Sequence, residues 1–424
     1  MVSCVLRPCR LSGTARPAPS LPLAKRMLWA ACLGEGGVIG NCPDNADVRA
    51  ILDLGSQMGA DAVMENNTAD IFGPETPMPP NEIDVKNNTC ASRLAVSMSL
   101  LCDLPQSVSR PLLPAGAFKW LDWTAMAMGL RLVSTPDKLS ISGPSAAQAL
   151  DLDDRAGAFW APGLFMAAPV SGVETIFTLD DFVAWQPSTS LTLSVLEGLD
   201  IRFTLEEEER TLTINGGQSY VAVQADVEND WRTGSYLLGA LLLAGKGAVS
   251  LPRNSLQPER GFWNMFESAG LVSWNEDGNE ARVEGRRALH LPEIIDARAY
   301  PALLPLALVL ATQSDSPVSI QPLYPLSPRS QVRLSFTIEQ LTALGADISR
   351  TDDTVDVKPS KLKGASVDSG GDSRVAMALA LAGLVANGEV KMEGSEAVSI
   401  AHAGFWDEMR KLGADVRMAS PPVQ

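Results

Sequence analysis

The sequence predicts an α/β (α+β) protein with two lobes, built from six βαβαββ repeats, three in each lobe. Two observations lead to this fold class. A glycine recurs at nearly constant spacing after a helical pattern, and a more apolar helix lies upstream of each copy. The recurring glycines lie 70, 69, 72, 75 and 68 residues apart, and they are Gly59, Gly129, Gly198, Gly270, Gly345 and Gly413. Such near-constant spacing is the signature of an internal repeat.

The segment before each glycine predicts a surface helix. In residues 336–344 and 405–412, apolar residues recur at i, i+3 or i+4, and i+7, which is the pattern of an amphipathic helix. Glycine suits the end of such a helix because it has no Cβ and enters the left-handed conformation without a clash. We therefore expect each glycine to end one helix of its repeat.

The segment after most of these glycines predicts a β-hairpin. The runs 130–133 and 139–141 flank the turn sequence STPDK. Two β-rich runs around a turn are typical of an antiparallel strand pair. Each repeat is therefore expected to finish with two strands.

The second helix of each repeat is apolar on most of its faces, which predicts a position inside a core. In most repeats a short strand follows it. The six helical segments are 25–33, 91–101, 158–168, 235–243, 302–311 and 374–385. One helix of each repeat is therefore expected to be buried and the other to lie at the surface.

Six such units are too many to share one core of ordinary size. We expect one lobe to span residues 17–222 and to hold repeats 1 to 3. The other lobe, discontinuous in sequence, is expected to combine residues 1–16 with 223–424 and to hold repeats 4 to 6. A small-molecule site is expected in the cleft between the lobes, since domain interfaces commonly carry such sites.

Composition narrows the classes of ligand. The formal net charge is −16, which argues against a nucleic-acid partner, because phosphate backbones are bound by clustered Lys and Arg. The longest apolar runs fall short of the about 18–20 residues that span a bilayer, so no membrane segment is expected. A small anionic ligand remains compatible, since it needs only a few local cations.

The cysteine pattern indicates reduced thiols. All six cysteines lie in the first quarter of the chain and none forms a CxxC pair; they are Cys4, Cys9, Cys32, Cys42, Cys90 and Cys102. This spacing fits neither a zinc site nor a disulfide framework. We therefore expect reduced thiols in a cytoplasmic protein and no metal site. No cofactor is expected either.

Five segments of the chain align, in order, with the motifs of one known family. Residues 10–26 (RLSGTARPAPSLPLAKR) align without gaps on the family's R-x-x-G-T-I-x-x-P-G-S-K-S-x-S-N-R start. Residues 44–49 (DNADVR) are similar to D-S-D-D-V-R, and 87–93 (NNTCASR) to N-S/A-G-T-A-M-R. Residues 371–377 (GDSRVAM) resemble x-D-H-R-M-A-M, and 397–405 (AVSIAHAGF) resemble A-V-x-K-S-x-P-x-F. These matches, in their order and spacing, cover essentially the whole chain, and by them it resembles the enolpyruvyl transferase family, to which EPSP synthase belongs.

The resemblance implies a two-lobed enolpyruvyl transferase-like fold, a monomer, and transfer of the enolpyruvyl group of phosphoenolpyruvate to a phosphorylated cyclic acid such as shikimate 3-phosphate. It also implies substrate-binding residues, which are Lys25, Arg26, Arg93, Arg333 and Arg374. In the family, the matches to Arg333 and Arg374 hold the carboxylate of phosphoenolpyruvate. Guanidinium groups suit this role because they are always charged and pair with carboxylate in a bidentate manner.

The catalytic positions of the family are occupied by residues of another kind. The essential lysine falls at Leu21, the catalytic aspartate at Ala302, the glutamate of K-E-S-D-R at Ser330 and the late lysine at Ile400. The Ser-Ser-Gln segment that holds phosphate and carboxylate groups reads Gly-Ala-Phe at 157–159. Enolpyruvyl transfer needs groups that deliver and remove protons, and Leu, Ala and Ile side chains cannot do so.

Two hypotheses follow for the function. The chain is either a divergent but active carboxyvinyl transferase, or a catalytically silent homologue that binds an anionic ligand or a protein in the same cleft. In the active case, the nearest proton-transferring candidates are Lys25, Asp230, Glu293 and Asp296. An RNA 3′-phosphate cyclase, which has a related repeat, is a third class that the acidic composition disfavours.

Overall fold

The computed structural model describes residues 2–74, 80–102, 106–143, 149–285 and 288–419. Two compact units divide the chain. We call residues 1–18 with 228–424 the split unit, because it combines both ends of the chain, and residues 19–227 the continuous unit.

Helices alternate with strands along the described residues. The α-helices are α1 (Leu21–Leu33), α2 (Ala46–Gln57), α3 (Thr89–Leu101), α4 (Ala115–Ala127), α5 (Asp154–Ala167), α6 (Asp181–Ala184), α7 (Pro187–Gly198), α8 (Trp231–Ala244), α9 (Asn264–Ser268), α10 (Leu304–Thr312), α11 (Pro328–Ala343), α12 (Ser373–Val385), α13 (Val398–Ala401) and α14 (Phe405–Lys411). Short 3-10 helices cover Ala168–Val170, Pro258–Trp263 and Ser395–Ala397.

The strands are β1 (Ser3–Arg7), β2 (Thr14–Ala15), β3 (Gly36–Gly40), β4 (Asp61–Glu65), β5 (Thr68–Phe72), β6 (Glu82–Asp84), β7 (Ser107–Ser109), β8 (Arg131–Thr135), β9 (Lys138–Ser142), β10 (Ala149–Leu152), β11 (Thr175–Leu179), β12 (Phe203–Glu206), β13 (Thr211–Ile214), β14 (Val223–Asp226), β15 (Gly247–Val249), β16 (Ser273–Trp274), β17 (Ala281–Val283), β18 (Ile294–Ile295), β19 (Val318–Ile320), β20 (Asp347–Arg350), β21 (Val355–Lys358), β22 (Ser366–Asp368), β23 (Val390–Glu393) and β24 (Asp415–Ala419).

These strands form six four-stranded sheets of one design, which confirms the six predicted repeats. In each sheet an edge strand runs parallel to its neighbour and two antiparallel strands complete the sheet. The continuous unit holds the orders β14-β3-β5-β4, β6-β7-β9-β8 and β10-β11-β13-β12. The split unit holds β2-β15-β17-β16, β18-β19-β21-β20 and β22-β23-β1-β24. Strands β1 and β2 thus tie the beginning of the chain into sheets made by its second half.

A helix ends at or just before each of the six predicted glycines, and five of these glycines are left-handed. Gly59, Gly345 and Gly413 have φ angles of 101°, 89° and 95°, and Gly129 and Gly270 are also left-handed. The third glycine instead lies inside the last turn of α7, which ends at Gly198. There the left-handed residue is Asp200, with φ 58°, because aspartate is one of the few other residues that tolerate this conformation.

The apolar helices form the cores of the two units, as the sequence predicts. In the split unit, α8, α10 and α12 pack on one another and are buried along most of their length. At Gly239 the three helices meet with no room for a side chain: a Cβ there would lie 2.7 Å from Leu306 and 3.2 Å from Leu381 side-chain carbons. In the continuous unit, α3 and α5 pack in the same way. Among the described residues no helix is both long and apolar enough to cross a membrane.

Candidate anion-binding site

The site in the split unit is built at the beginnings of buried helices. Asp372 is the N-cap of α12, where its carboxylate accepts hydrogen bonds from the backbone N–H groups of Arg374 and Val375. Asp230 caps α8 in the same way, accepting from Arg232 and Thr233. Such caps satisfy N–H groups that have no partner within the helix. They also fix the backbone from which the arginine side chains extend.

Arg333 is bound to Asp372 in a bidentate ion pair. Its Nε lies 2.9 and 3.0 Å from the two carboxylate oxygens, and its Nη2 lies 2.8 Å from Oδ2. The Arg333 side chain is 4% exposed. Burial alone would raise the pKa of Asp372, but the hydrogen bonds and charge of Arg333 and the α12 N–H groups lower it. Arg333 is therefore largely neutralised within the protein.

Arg374 has no such partner. Among the described residues its guanidinium forms neither a hydrogen bond nor an ion pair. Burial, and then the positive charges of Arg232 and Arg333, lower its pKa to about 10. A cation held near other cations and largely out of water is unfavourable unless an anion joins it. Arg374 is thus the group in this cluster that is best disposed to receive a ligand.

Arg232 belongs to the same cluster. Its Nε donates to Oε1 of Glu259 over 2.9 Å, and the Glu259 side chain is 3% exposed. The charges of Glu259 and Asp230 raise the pKa of Arg232, although burial opposes them. Burial raises the pKa of Asp230, against the charge of Arg232.

Tyr236 contacts Ala302, the position at which the resemblance predicts the family's catalytic aspartate. Its hydroxyl donates to the carbonyl oxygen of Ala302 over 3.3 Å. Burial raises the Tyr236 pKa, while the charges of Arg374 and Arg333 oppose that rise. Ala302, where the resemblance predicts the catalytic aspartate, therefore lies beside the arginine cluster but offers only a backbone carbonyl and a methyl group.

The remaining predicted residues of the split unit lie in varied settings. Ser330 accepts a hydrogen bond from the Ser327 hydroxyl at the start of α11. Ile400 is 78% exposed on α13, and Glu293 is exposed. Asp296 forms an ion pair with Arg298; burial would raise its pKa, but the hydrogen bonds from Arg298 prevail and lower it.

In the continuous unit, Lys25 is held by Asp47. The Lys25 Nζ lies 2.9 Å from one Asp47 oxygen, and the Asn88 side chain donates to the other over 3.0 Å. Burial would raise the pKa of Asp47, but the Lys25 charge and these hydrogen bonds lower it. Leu21, at the position of the family's lysine, begins α1 one helical turn before Lys25.

Arg26 serves the structure of this unit. Its guanidinium donates to the Thr192 hydroxyl, to the Ser188 carbonyl and hydroxyl, and to the Pro22 carbonyl, and the residue is buried. These bonds join the beginnings of α1 and α7. Its predicted substrate-binding role stays a prediction.

Arg93 lies over Phe159, which occupies the third position of the altered Ser-Ser-Gln segment. The guanidinium carbon is 5.6 Å from the Phe159 ring centre, and Nη1 lies 3.4 Å from the Phe159 carbonyl oxygen. The Arg93 Nε is buried and has no hydrogen-bond partner among the described residues. Phe159 also packs edge-on against Trp160, with ring centres 5.0 Å apart. An aromatic ring thus covers the place where the resemblance predicts hydroxyl and amide donors.

Arg333 and Arg374 both contact Asp372, Arg333 through its guanidinium and Arg374 through its backbone N–H; their common ligand stays a prediction. Sequence reasoning missed Arg232, Glu259 and Tyr236. One signal was available: Asp-x-Arg at 230–232 and at 372–374 has the same spacing before two of the apolar helices.

Comparisons with known proteins point to one family. A sequence model of the EPSP synthase (3-phosphoshikimate 1-carboxyvinyltransferase) family matches residues 138–409. The 3-phosphoshikimate 1-carboxyvinyltransferase of Halobacterium salinarum is 30% identical, over 96% of this chain and 98% of its own length. That of Methanothrix thermoacetophila is 27% identical, over 97% of this chain and 98% of its own.

Solved structures share the fold. EPSP synthase from Acinetobacter baumannii superposes with a TM-score of 0.79 at 17% identity, covering 99% of this chain and 100% of its own. The enolpyruvyl transferase NikO from Streptomyces tendae superposes with a TM-score of 0.71 at 16% identity, covering 99% of each chain. Since the sequence model matches well over half of the residues and a relative of nearly full coverage reaches 30% identity, the chain belongs to the EPSP synthase family.

Proposed function

We propose that this chain is a carboxyvinyl transferase that moves the enolpyruvyl group of phosphoenolpyruvate to the hydroxyl of a phosphorylated cyclic acid. The observation that carries the proposal is the Arg374 guanidinium, which has no partner among the described residues and lies beside the Arg333–Asp372 pair. This arrangement suits an anionic substrate group. Family membership favours the active transferase over the silent homologue.

The reaction consumes no cofactor. A proton is added to the methylene carbon of phosphoenolpyruvate, and the acceptor oxygen bonds to C2 as its own proton leaves. The C2–O bond to phosphate then breaks, the methyl group gives up a proton, and inorganic phosphate departs. The protein must therefore hold an anion and move protons in both directions.

Asp230 is our candidate for proton transfer in the split unit. Burial raises its pKa, which brings a carboxyl group nearer to the range in which it can both give and take a proton. Asp296 suits this role less well, because its ion pair with Arg298 favours the charged form. Glu293 is exposed to water.

Phe159 affects which acceptor substrate the chain can bind. Where shikimate 3-phosphate would meet Ser-Ser-Gln in the resembling enzymes, this chain presents an aromatic ring and the Arg93 guanidinium. We therefore infer that the acceptor is an anionic cyclic acid, bound through Arg93 with fewer neutral hydrogen-bond donors. Shikimate 3-phosphate is the first acceptor to test, and unphosphorylated shikimate is the comparison.

The test is an assay of the full chain with phosphoenolpyruvate and each acceptor, in which released phosphate is measured and the carboxyvinyl product is identified by mass spectrometry. We expect turnover that falls at least tenfold in Asp230→Asn, the loss typical of one acid–base group being about 10²–10⁴-fold. Binding of phosphoenolpyruvate without phosphate release for either acceptor would overturn the proposal in favour of a silent homologue.

We further propose that the enzyme acts as a monomer in the cytoplasm. The six cysteines, all within the described residues, form no disulfide, as is usual in a reducing compartment. The monomeric state rests on the family resemblance. Light scattering after size exclusion tests it, and a mass of twice 45.1 kDa would contradict it.

A further inference from the structure

The edge strand of the third repeat leaves part of its apolar face uncovered. Leu205 of β12 lies opposite Leu212 of β13 in their antiparallel pair, so both side chains point to the same face of the sheet. Leu212 is fully buried, whereas Leu205 is 39% exposed. The helices of this repeat therefore cover β13 on this face but leave part of β12 open.

A cavity of about 550 Å³ lies between α7 and this part of β12. From α7 it is lined by Ser190, Leu193 and Glu197, which are three or four residues apart and therefore share one face of the helix. Leu205 of β12 and Glu207 in the following turn also line it. We call this cavity the α7–β12 groove. Its volume falls in the range of small-molecule sites.

The fifth repeat has the same elements, and they give the groove a counterpart. A left-handed residue follows the surface helix in both repeats, Asp200 after α7 and Gly345 after α11. Leu205 and Arg350 come at the same interval after these residues, on the edge strands β12 and β20. Each lies opposite a fully buried residue of the next strand. Arg350 is therefore the fifth-repeat equivalent of Leu205.

Arg350 fills the place that Leu205 leaves open. Its guanidinium donates to the side-chain oxygens of Ser335 and Gln331 on α11. Ser335 is the equivalent of Ser190, since each precedes the left-handed residue by the same interval. A leucine side chain is shorter and has no donor for such a serine. A guanidinium thus fits between the edge strand and the surface helix of a repeat, and Leu205 leaves that room open in the third.

The charge of the α7–β12 groove suits a cation. Within the described residues, the side-chain carboxylates of Glu197 and Glu207 form neither a hydrogen bond nor an ion pair. Arg210 also lines the groove, but Asp181 neutralises it, with Nη2 lying 2.8 Å from Oδ1. Trp185, 45% exposed, adds an aromatic ring to the lining, and such rings attract cations. Two uncompensated carboxylates therefore lie beside an apolar surface.

We propose that the α7–β12 groove binds a small organic cation with an apolar body, such as an alkyl- or arylguanidinium. The cationic head donates to the Glu207 carboxylate and the Ser190 hydroxyl, because a planar guanidinium pairs well with carboxylate. The apolar body packs on Leu193 and Leu205. This site goes beyond the proposed transferase reaction, whose substrates are anions.

The experiment is calorimetric titration of the full chain with phenylguanidinium chloride at low ionic strength, with phenylurea as its neutral isostere. We expect saturable binding of phenylguanidinium, and binding of phenylurea weaker by about tenfold or more, since one charge-assisted hydrogen bond is worth about that factor. Glu207→Gln should weaken phenylguanidinium binding by about the same factor. Glu206→Gln is the matched control, because Glu206 is the exposed neighbour on the opposite face of β12. It should keep the wild-type affinity.

Leu205→Arg tests the comparison between the repeats. The change gives the third repeat the residue that the fifth repeat has, so its guanidinium should occupy the groove from within. We expect this variant to lose phenylguanidinium binding while its melting temperature is at least that of the wild type, which shows that it folds. Thr204→Arg adds the same charge at the exposed neighbouring residue on the other face of β12, and it should still bind the probe.

Four outcomes would overturn the α7–β12 site. They are equal affinity for phenylurea, equal losses in Glu207→Gln and Glu206→Gln, unchanged binding in a folded Leu205→Arg protein, and no saturable phenylguanidinium binding up to about 10 mM. None of them bears on the transferase proposal, which is measured by phosphate release from phosphoenolpyruvate. The two proposals can therefore fail separately.

Discussion

Arg333 and Asp372 are joined by a bidentate ion pair in which the same carboxylate also caps helix α12. The aspartate thus connects the start of α12 to the middle of α11. One residue therefore orients two of the arginines in the cluster: Arg333 through its side chain, and Arg374 through its backbone N–H.

Arg333→Met should destabilise the protein, because it leaves the Asp372 carboxylate half-buried without its main partner. Breaking a buried pair in this way typically costs about 3–5 kcal/mol of unfolding free energy. Urea denaturation of the wild type and variant measures the loss, and Arg282→Met, at an exposed pair, should stay within about 0.5 kcal/mol. A loss in Arg333→Met no larger than in this control would contradict the structural importance of the pair.

Arg374→Met should have the opposite effect on stability while removing function. The lowered pKa of Arg374, about 10, means that folding holds its charge in an unfavourable place; each unit of such a shift corresponds to about 1.4 kcal/mol. We expect a higher melting temperature without ligand and no rise on addition of phosphate or phosphoenolpyruvate. A variant that melts lower and still responds to phosphate would contradict this trade-off between stability and binding.

His402 should make the protein sensitive to mild acid. The residue is 6% exposed and packs beside Phe405, and both ring nitrogens lack hydrogen-bond partners within the described residues. Burial lowers its pKa, so the folded state keeps it neutral while the unfolded chain takes up a proton below pH of about 6.5. Unfolding free energy should therefore fall as pH drops through that value.

His402→Phe tests this acid sensitivity. Removing a buried polar ring should raise stability at pH 8 by about 1 kcal/mol, and the gain should be larger at pH 5. Urea denaturation at both pH values measures the difference. His290→Gln, at an exposed histidine paired with Asp315, should retain the wild-type loss between pH 8 and 5. Parallel pH profiles for wild type and His402→Phe would contradict the assignment.

Phe159→Gln should improve binding of shikimate 3-phosphate in the proposed reaction. The change removes the ring beneath Arg93 and supplies an amide donor, and one added hydrogen bond to a charged group is worth about tenfold in affinity. We expect a lower KM for that acceptor and little change for phosphoenolpyruvate. Phe72→Gln, at an exposed phenylalanine of the same unit, is the control. An unchanged acceptor KM in Phe159→Gln would show that the ring does not limit binding.

Much of the fold could be predicted because local sequence patterns mark the helices and helix ends of each repeat. Apolar segments of helical length and left-handed glycines recur in phase, so the six units were recognisable. Helix starts were less accurate: α8 begins at Trp231 rather than 235, and α3 at Thr89 rather than 91. In both helices the capping residue, Asp230 or Asn88, was the true signal, and the apolar pattern begins only after it.

The site could be predicted only in part, because the ion-pair and hydrogen-bond partners of each arginine are set by packing between segments that are distant in sequence. The resemblance pointed to Arg333 and Arg374, and both contact Asp372 in the structure. That Asp372 neutralises one and leaves the other available follows from how α11 meets α12. The position of Glu259 beside Arg232 depends on the path of the 3-10 helix after β15. No sequence periodicity predicts that path.

The missing Cβ at Gly239 has a consequence for selectivity. It lets α8 contact Leu306 of α10 and Leu381 of α12, about two helical turns from Arg232. This apolar contact in the core therefore sets the distance between the starts of α8 and α12, which carry Arg232 and Arg374. Gly239→Ala would wedge these helices apart without altering any charge. Such a protein should accept bulkier oxyanions more readily than phosphate, because the helix ends that carry the arginines would lie farther apart.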